Sequence, residues 1–487
     1  MAVAAPDRLC ERLREICDGA LSALPPGAAR DTVAAVRSRL AEDVLRVAIG
    51  GRMKAGKSTL VNALLGENLA ATDFTECTML VSWFRYGPVN LVRLRYTDGS
   101  QRSLIAQPLA SAVAAAGRPA SDISVVEVES SNEILRRTYT IVDTPGLDSL
   151  SGLDALSLSA ISEADVLIYL MPHPGQNDAE ALSALRATAA DAGITAMNTI
   201  GVLSQIDTLG EGTGDPWPQA RRQAAKDARR LGALVGTIVP VHGLLAQTAL
   251  GTSFGEADMG LLRQLSRTDP AVVEAACYSA RTFLEDEGLP LAEADRERLF
   301  SLLGLWGIQV AVAEVAGGIQ GAAGLLKALR AHSGIDDLLE RLNRQFLTLA
   351  DPLRARTAMQ ALDAVSWKGS SSAEVGTLTR MRGELDALRG HGRLRQLELA
   401  STLADLNAGK WSAAEDTTEE LVALATGVEL TDQLRLWPGA DADAIRAALA
   451  KRISAWRSIE NTAGRGVARH ARVVREYLES LHSGLPR

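Results

Sequence analysis

Residues 45–65 of the chain read LRVAIGGRMKAGKSTLVNALL. The apolar run at residues 45–49 predicts a buried β-strand, and residues 57–65 have the apolar spacing of a helix that ends at Gly66. Between them, residues 51–58 match the pattern G-x-x-x-x-G-K-[ST], whose glycines let backbone N–H groups approach phosphate oxygens closely. The positive end of the helix dipole points at the same place. The stretch therefore predicts a phosphate-binding loop in an α/β fold.

Several residues of this loop are predicted to contact a nucleotide. We expect Lys57 to contact the β- and γ-phosphates and the Ser58 hydroxyl to ligate Mg²⁺. The remaining candidates for nucleotide contacts are Gly51, Met53, Lys54, Ala55, Gly56 and Thr59.

A second motif follows another apolar stretch. Residues 143–146 read DTPG directly after a predicted strand at residues 139–142. In P-loop proteins, an acid at the end of such a strand holds the metal, and a glycine N–H can sense the terminal phosphate. We therefore expect Asp143 to hold Mg²⁺, directly or through a water, and Gly146 to lie near the γ-phosphate.

A threonine between these two motifs is needed to complete the coordination of Mg²⁺ and the γ-phosphate. Residues 71–78 read ATDFTECT and contain the candidates. Thr78 is the first choice and Thr75 the second.

The identity of the base should be read after the strand at residues 200–203. Ser204, Gln205 and Asp207 stand there in the place of the guanine-reading pattern [NT]-K-x-D. A carboxylate at Asp207 can accept the N1–H and N2–H of guanine, whereas adenine lacks those donors. The alternative is that Asp207 only caps the residues that follow it.

A further loop follows the predicted strand at residues 238–241. His242 and Gly243 are expected to contact the base there through backbone N–H groups. The His242 side chain itself is expected to be incidental.

The pattern of apolar residues divides the chain into two parts. Strand and helix signals alternate up to about residue 255 and then only helical periodicity remains. We predict an α/β domain at residues 44–255, with a mostly parallel sheet and helices on both faces. Residues 1–43 and 256–487 are predicted to be helical. The apolar stretch at residues 306–328 is expected to fall short of a membrane span because polar residues and four glycines interrupt it.

One helical stripe contains a proline. The apolar residues of 335–365 follow helical spacing, but Pro352 interrupts them. Either one helix kinks there, or a new helix begins with Asp351 as its cap and Pro352 at its first position.

Composition excludes several classes of protein. The chain carries 51 Lys and Arg against 59 Asp and Glu, a formal net charge of −8, so we expect no nucleic-acid partner. Its 4 cysteines have neither disulfide density nor metal-ligand spacing. The acidic first 25 residues lack the pattern of a secretory signal, which predicts a cytoplasmic protein.

Taken together, these motifs resemble those of the bacterial dynamin-like GTPases, in particular the isoniazid-inducible dynamin-like proteins of mycobacteria. The resemblance rests on residues 51–65, 72–86, 143–146 and 239–245, and extends more weakly through residues 300–307 and 451–457. Two positions depart from the family pattern. Ala71 replaces the proline that usually opens the switch loop, and Gln205 replaces the lysine of the guanine motif.

The resemblance implies a GTPase head, a helical neck that includes the N-terminal helices, and a helical trunk that reaches a membrane. It implies binding of GTP, GDP and Mg²⁺, and head-to-head pairing with a second copy or with a related dynamin-like protein. Hydrolysis of GTP would drive membrane tethering, fusion or remodelling. The expected location is peripheral, at the inner face of the plasma membrane.

The resemblance also bears on catalysis. Eukaryotic dynamins carry a glutamine and a serine at the positions that match Met53 and Lys54, so this chain lacks those catalytic side chains. Guanylate-binding proteins place an arginine finger at the position that matches Lys54. Lys54 is therefore a candidate catalytic cation, together with Lys57 and Thr78. The alternative is a solvated loop lysine.

Two surfaces are candidates for contact with lipid. Trp367 and Lys368 lie in a predicted loop and suit a membrane interface if exposed, whereas the alternative is a turn with the tryptophan packed inward. Arg465, Arg469 and Arg472 follow helical spacing with Arg475 and could bind anionic headgroups. The alternative for these arginines is a solvated or internally paired face.

Three functions are compatible with these residues. The leading interpretation is a membrane-acting GTPase. A nucleotide-gated scaffold with little hydrolysis is the second, because Met53 replaces the dynamin glutamine. A ribosome- or RNA-associated GTPase is the third, and the charge balance disfavours it.

Overall fold

The computed structural model describes most of the chain. The described residues are 8–71, 80–105, 108–145, 160–172, 178–180, 182–183, 198–209, 214–231, 234–285, 288–347, 349–369, 371–407, 411–426 and 429–485. The switch-loop candidates Thr75 and Thr78, and also Gly146, lie outside these residues.

One sheet organises the first half of the described chain. Its nine strands are β1 (Leu45–Gly51), β2 (Ser82–Tyr86), β3 (Leu91–Tyr96), β4 (Gln101–Ile105), β5 (Ile123–Ser130), β6 (Tyr139–Asp143), β7 (Val166–Met171), β8 (Thr199–Leu203) and β9 (Thr237–Pro240). The strand order is β4-β3-β5-β2-β6-β1-β7-β8-β9.

The sheet is mixed and mostly parallel. β6, β1, β7, β8 and β9 run parallel to one another, whereas β2 is antiparallel to β6, and β3 is antiparallel to both of its neighbours. The predicted α/β class is confirmed. β4 was not predicted, because its side chains are largely exposed at the sheet edge and give no apolar signal.

The parallel strands are buried on both faces. Every residue of β6, β7 and β8 is buried, which explains their continuous apolar runs. The helices beside the strands are α3 (Lys57–Leu65), α4 (Leu109–Ala114), α5 (Glu133–Arg137) and α6 (Trp217–Leu231). Gly66 ends α3 in the left-handed conformation, as the sequence predicts.

The remaining described helices precede the sheet or follow it. Their bounds are α1 (Leu9–Ala23), α2 (Ala28–Leu40), α7 (Gly243–Leu250), α8 (Glu256–Leu265), α9 (Pro270–Ala276), α10 (Ala280–Glu285), α11 (Glu293–Ala316), α12 (Ala322–Ser333), α13 (Ile335–Arg341), α14 (Ala350–Ser366), α15 (Ser372–Arg389), α16 (Gly392–Asn407), α17 (Glu415–Thr426), α18 (Leu430–Gln433), α19 (Ala442–Thr462) and α20 (Arg465–Ser483). A π-helical turn, Leu342–Leu347, joins α13 to the chain before α14.

These helices form three apolar clusters. The head-side cluster is built from α7 to α12. The N-terminal bundle joins α1 and α2 to α14 and α15, although more than 300 residues separate the two pairs in sequence. The C-terminal bundle contains α16 to α20.

Asp351 shows how the N-terminal bundle is joined. The sequence predicts Asp351 as the cap of its own helix, but α14 already begins at Ala350. Instead, the backbone N–H groups of Leu9 and Cys10 donate to the two Asp351 carboxylate oxygens, at 3.0 and 3.2 Å. Asp351 therefore caps α1, and such a cap contributes about 1 kcal/mol. A new helix does begin near Pro352, as the second predicted alternative has it, but it begins at Ala350, so the predicted cap and first position are wrong.

α11 contains the most apolar stretch of the helical part. Among the described residues, this helix alone is long and apolar enough to cross a membrane, and 33% of its apolar window is buried. Its backbone breaks at Gly304, where φ is 66° and ψ is 177°. Leu299, Leu303 and Ile308 pack into the head-side cluster, as the side chains of a core helix do.

Candidate nucleotide-binding site

The loop between β1 and α3 depends on two glycines. Gly51 has φ of 140°, and a Cβ there would lie 2.6 Å from the carbonyl oxygen of Leu170 on β7. Gly56 has φ of 90° and precedes the first turn of α3. A side chain at either position would strain the backbone, and at Gly51 it would also collide with the neighbouring strand. The motif thus fixes the path of the loop as well as its access to phosphates.

The Lys57 side chain lies across this loop. Its Nζ donates to the carbonyl oxygens of Gly51, at 3.2 Å, and Arg52, at 2.9 Å. The side chain is 9% exposed, so the ammonium group is held close to the loop backbone. A cation in this position can reach a phosphate group seated on the N–H groups of the loop.

Ser58 and Asp143 meet at the carboxyl ends of β1 and β6. The Ser58 hydroxyl donates to Asp143 Oδ2 at 2.9 Å. Thr144 follows Asp143, and its hydroxyl and N–H both donate to the Ile49 carbonyl oxygen, which ties the end of β6 to β1. The contact joins two residues that the sequence places in separate motifs.

Asp143 is the most electrostatically unusual group of the site. Burial raises the pKa of its carboxyl from 3.8 to about 6, although Lys57, the Ser58 hydroxyl and the Thr144 N–H all lower it. Its Oδ1 is buried and has no hydrogen-bond partner among the described residues. A hydroxyl beside a carboxylate with an unpartnered oxygen is a donor set that suits Mg²⁺. The residues present therefore fit the metal that the motifs imply.

Gln205 connects the predicted base loop to the phosphate loop. Its Nε2 donates to the carbonyl oxygen of Lys54 at 2.6 Å. Both residues have left-handed backbones, with φ of 51° at Gln205 and 60° at Lys54. This conformation is costly for residues with a Cβ, by roughly 1 kcal/mol or more each. The side chain that replaces the family's lysine thus bridges the two loops.

Asp207 lies in a short 3₁₀ turn, Ile206–Thr208, after β8. Its side chain is 30% exposed, and its Oδ1 lies 3.6 Å from Nε2 of His242. Burial tends to raise the pKa of Asp207, but the His242 imidazole outweighs burial and leaves the pKa below its usual value. Asp207 is therefore an ionised carboxylate at neutral pH, partly open to solvent.

His242 has more contacts than the sequence predicts. Its N–H donates to the carbonyl oxygen of Ser333 at 2.8 Å, so it is not available to a base and the predicted backbone contact is wrong at this residue. Its Nδ1 accepts from the N–H of Leu245 at 3.2 Å and caps α7. Its ring stacks on Trp306, with 5.3 Å between the ring centroids. The adjacent Gly243 lies against Thr59 of α3.

The other predicted loop residues differ in exposure. Ala55 is buried, whereas the side chains of Met53 and Lys54 are exposed. Ser204 is buried after β8, and its N–H donates to the carbonyl oxygen of Met171 at 3.1 Å.

The candidate lipid contacts lie apart from this site. The Trp367 side chain is 70% exposed, with the Arg382 guanidinium 3.4 Å from the ring centroid, so the inward-packed alternative is wrong. On α20, Arg472 and Arg475 both pair with Glu460, at 2.8 and 2.7 Å. The internally paired alternative therefore holds for these two arginines.

The parallel strands, the glycine-dependent loop and the Ser58–Asp143 contact define a P-loop nucleotide-binding domain. Comparisons with known proteins then give the family. Residues 47–206 match the model of the dynamin family. The chain is 30% identical to isoniazid-induced protein IniC of Mycobacterium tuberculosis over 341 residues, which are 67% of this chain and 68% of that protein. The chain belongs to the dynamin family of GTPases.

One further match covers a smaller part of the chain, and another has a lower sequence identity. The bacterial dynamin-like protein of Nostoc punctiforme is 31% identical over 144 residues, 27% of this chain and 21% of that protein. A solved structure described as an oligomerised bacterial dynamin pair for long-range sensing and tethering of membranes has a TM-score of 0.32. It is 16% identical and covers 86% of this chain and 79% of that chain. At this score the two shapes differ, and no feature of that assembly transfers to this chain.

Proposed function

We propose that this protein binds GTP with Mg²⁺, hydrolyses it to GDP and phosphate, and couples the reaction to membrane tethering, fusion or remodelling. The contact between Ser58 and Asp143 is the observation that carries the proposal. It places a hydroxyl and a buried carboxylate side by side at the start of α3, and in the described part of the chain one carboxylate oxygen has no hydrogen-bond partner.

The phosphate end of the site would use the loop and its two flanking motifs. Lys57 would exchange its carbonyl partners for the β- and γ-phosphates, and Gly51 to Gly56 and Thr59 would supply backbone contacts. Ser58 and Asp143 would hold Mg²⁺, which neutralises phosphate charge when bound. Thr78 and Gly146, outside the described residues, are proposed to complete the γ-phosphate contacts.

The base end would use three loops. Asp207 would accept the N1–H and N2–H of guanine, and Gln205 would hold the base loop against the phosphate loop. Ser204 and Gly243 would line the base. An adenine in this position would leave the Asp207 carboxylate without these donors, which costs up to about 1–3 kcal/mol and less where the carboxylate is open to solvent.

Lys54 is the proposed catalytic cation. Its side chain is exposed at the mouth of the loop, while the bond from Gln205 to its carbonyl fixes its backbone. A cation held there could neutralise charge that develops on the phosphates in the transition state.

The domain roles follow from the same proposal. Residues 44–255 would be the GTPase head, and residues 1–43 and 256–487 the helical neck and trunk. The protein would act as a cytoplasmic protein at the inner face of the plasma membrane, pairing through its heads with itself or with a related dynamin-like protein.

Trp367 and Lys368 are the proposed lipid contacts with the most structural support. Both lie between α14 and α15, and an exposed tryptophan beside a lysine suits the membrane interface. Arg465 and Arg469 on α20 are the second candidate, since Arg472 is occupied by Glu460.

Co-sedimentation with anionic liposomes tests the loop. Trp367→Ser should pellet less than the wild type, whereas Trp437→Ser removes another exposed tryptophan, from the C-terminal bundle, and serves as the control. Equal pelleting of all three proteins would remove the loop from consideration.

GTP turnover distinguishes the proposed enzyme from a nucleotide-gated scaffold. The exposed Met53, at the position of the dynamin glutamine, would favour the scaffold. GTP turnover is measured against protein concentration, with and without anionic liposomes, and with Lys57→Ala as the blank. Turnover per molecule that rises with concentration or lipid supports an assembly-coupled GTPase. Tight GTP binding with turnover no higher than the blank would favour the scaffold.

A further inference from the structure

His242 lies between the base-reading carboxylate and the helical part of the chain. On one side, its Nε2 faces Asp207 Oδ1 at 3.6 Å. On the other side, its ring stacks on Trp306 of α11, just beyond the break at Gly304. Its backbone N–H donates to the carbonyl oxygen of Ser333 at the end of α12. His242 is thus held at its backbone and contacted on two sides of its ring.

The capping bond decides which ring nitrogen carries the proton. Nδ1 accepts a hydrogen bond from the Leu245 N–H at 3.2 Å, so it must be unprotonated. In the neutral ring, the proton therefore lies on Nε2. That N–H points toward the carboxylate of Asp207, and Nε2 has no other hydrogen-bond partner among the described residues.

We propose that His242 is a positioning residue for guanine recognition: its Nε2–H orients the Asp207 carboxylate, and Trp306 holds the imidazole in place. This inference rests on the proposed function, because it assigns Asp207 to the base. A distance of 3.6 Å is slightly longer than a hydrogen bond, and contacts of this kind tighten when ligand binds. Residues of the helical part thereby support the base end of the nucleotide site.

The orientation matters because a carboxylate must present both oxygens to guanine. Its N1–H is shared with hypoxanthine, but its N2 amino group is not. If the Asp207 carboxylate rotates freely, its contact with the N2 amino group is lost before its contact with N1–H. The ratio of the dissociation constants of IDP and GDP therefore reports the orientation of Asp207, separately from phosphate binding.

Two substitutions separate the two functions of the imidazole, which are to cap α7 and to orient Asp207. His242→Asn places an acceptor near the position of Nδ1 and can still cap α7, but it cannot reach Asp207. His242→Gln places an amide N–H near the position of Nε2 and can reach Asp207, but it caps poorly. A structural role alone predicts that stability and base discrimination fall together. The positioning role predicts that they separate.

The experiment measures the IDP to GDP ratio by calorimetry and the melting temperature of each variant. His242→Asn should lower the ratio roughly tenfold, as expected for one hydrogen bond to a charged group, with little loss of stability. His242→Gln should retain most of the ratio and melt earlier. Asp269→Ala removes the side-chain cap of α9, away from the site, and should lower stability without changing the ratio.

Two outcomes would overturn the inference, and they differ. If Asp207→Asn removes discrimination but His242→Asn retains the wild-type ratio, His242 has no positioning role and the proposed guanine site stands. If the wild type itself does not distinguish GDP from IDP and Asp207→Asn changes nothing, the proposed function fails and the inference fails with it.

Discussion

The two ends of the nucleotide site are built in different ways. At the phosphate end, Lys57 and Ser58 lie in one contiguous loop, and their partner Asp143 comes from the strand next to β1. At the base end, Asp207 faces the imidazole of His242, which stacks on Trp306, and the backbone N–H of His242 donates to Ser333, far away in sequence. The proposed phosphate end thus lies on the sheet and α3. The proposed base end also contacts α11 and α12 through His242.

The largest effect is expected where the phosphate end is broken directly. Lys57→Ala removes the buried ammonium group and should weaken GTP binding at least about hundredfold, since a charge-assisted contact to phosphate is lost. Calorimetric titration with GTP in the presence of Mg²⁺ measures this. The loop carbonyls that Lys57 bonds can be solvated in the variant, so its fold should persist, which circular dichroism checks. An unchanged affinity would contradict the phosphate site.

Catalysis at the same end should depend on Lys54 without depending on affinity. Lys54→Ala should lower kcat by roughly hundredfold, the size of effect that a lost transition-state donor produces. The GTP dissociation constant should stay within about twofold of the wild type. Full turnover with unchanged affinity would leave Lys54 a solvated loop residue.

The buried Asp143 carboxylate gives the phosphate end a distinctive pH dependence. Its pKa in the folded protein is about 6, above the ordinary value of 3.8, because burial disfavours the charged form. The folded state therefore binds more protons than the unfolded state between these values, and stability falls as the pH rises through this window. The change is roughly 3 kcal/mol.

Melting without nucleotide or Mg²⁺ tests this prediction. Asp143→Asn should remove this part of the pH dependence and melt above the wild type at pH 7, while losing the response to Mg²⁺. Asp98→Asn is the control, because the pKa of this exposed carboxyl is about 2 and lies outside the window. The prediction would be refuted if the difference in stability between the wild type and Asp143→Asn were the same at pH 4 and pH 7.

The smallest effect is expected from the helical part and tests the difference between the two ends. Trp306→Leu removes the ring on which His242 stacks and should lower the IDP to GDP ratio about threefold. Trp437→Leu changes an exposed tryptophan of the C-terminal bundle and should have no such effect. If both variants have the IDP to GDP ratio of the wild type, the base end does not depend on the helical part, and the two ends do not differ in this respect.

The sequence predicts the strand, loop and helix of residues 45–65 well because their contacts are mostly local. Residues 51–58 carry their own backbone constraints, and an acid at the end of an apolar strand must lie at the same sheet edge. The strands predicted at residues 45–49, 139–142, 200–203 and 238–241 are present, with ends that differ by up to two residues. β4 was missed because an exposed edge strand carries little apolar pattern.

The base end and the helical packing were predicted less well, for a physical reason. No local pattern shows that Trp306 stacks on His242, or that Asp351 caps a helix at the start of the chain. These contacts depend on how distant helices pack. The sequence also does not decide whether the Trp367 side chain is exposed, because an inward-packed tryptophan would have the same sequence. Only the fold shows that it is exposed.

The most direct test compares the affinities for two bases in the wild type and in a variant of Asp207. The affinities of the wild type and Asp207→Asn for GTP and XTP are measured with Mg²⁺, because an asparagine amide can donate to the 2-carbonyl oxygen of xanthine but cannot accept both guanine donors. We predict that the wild type prefers GTP and that the variant prefers XTP. A variant that binds GTP as tightly as the wild type would contradict a guanine-reading site at Asp207.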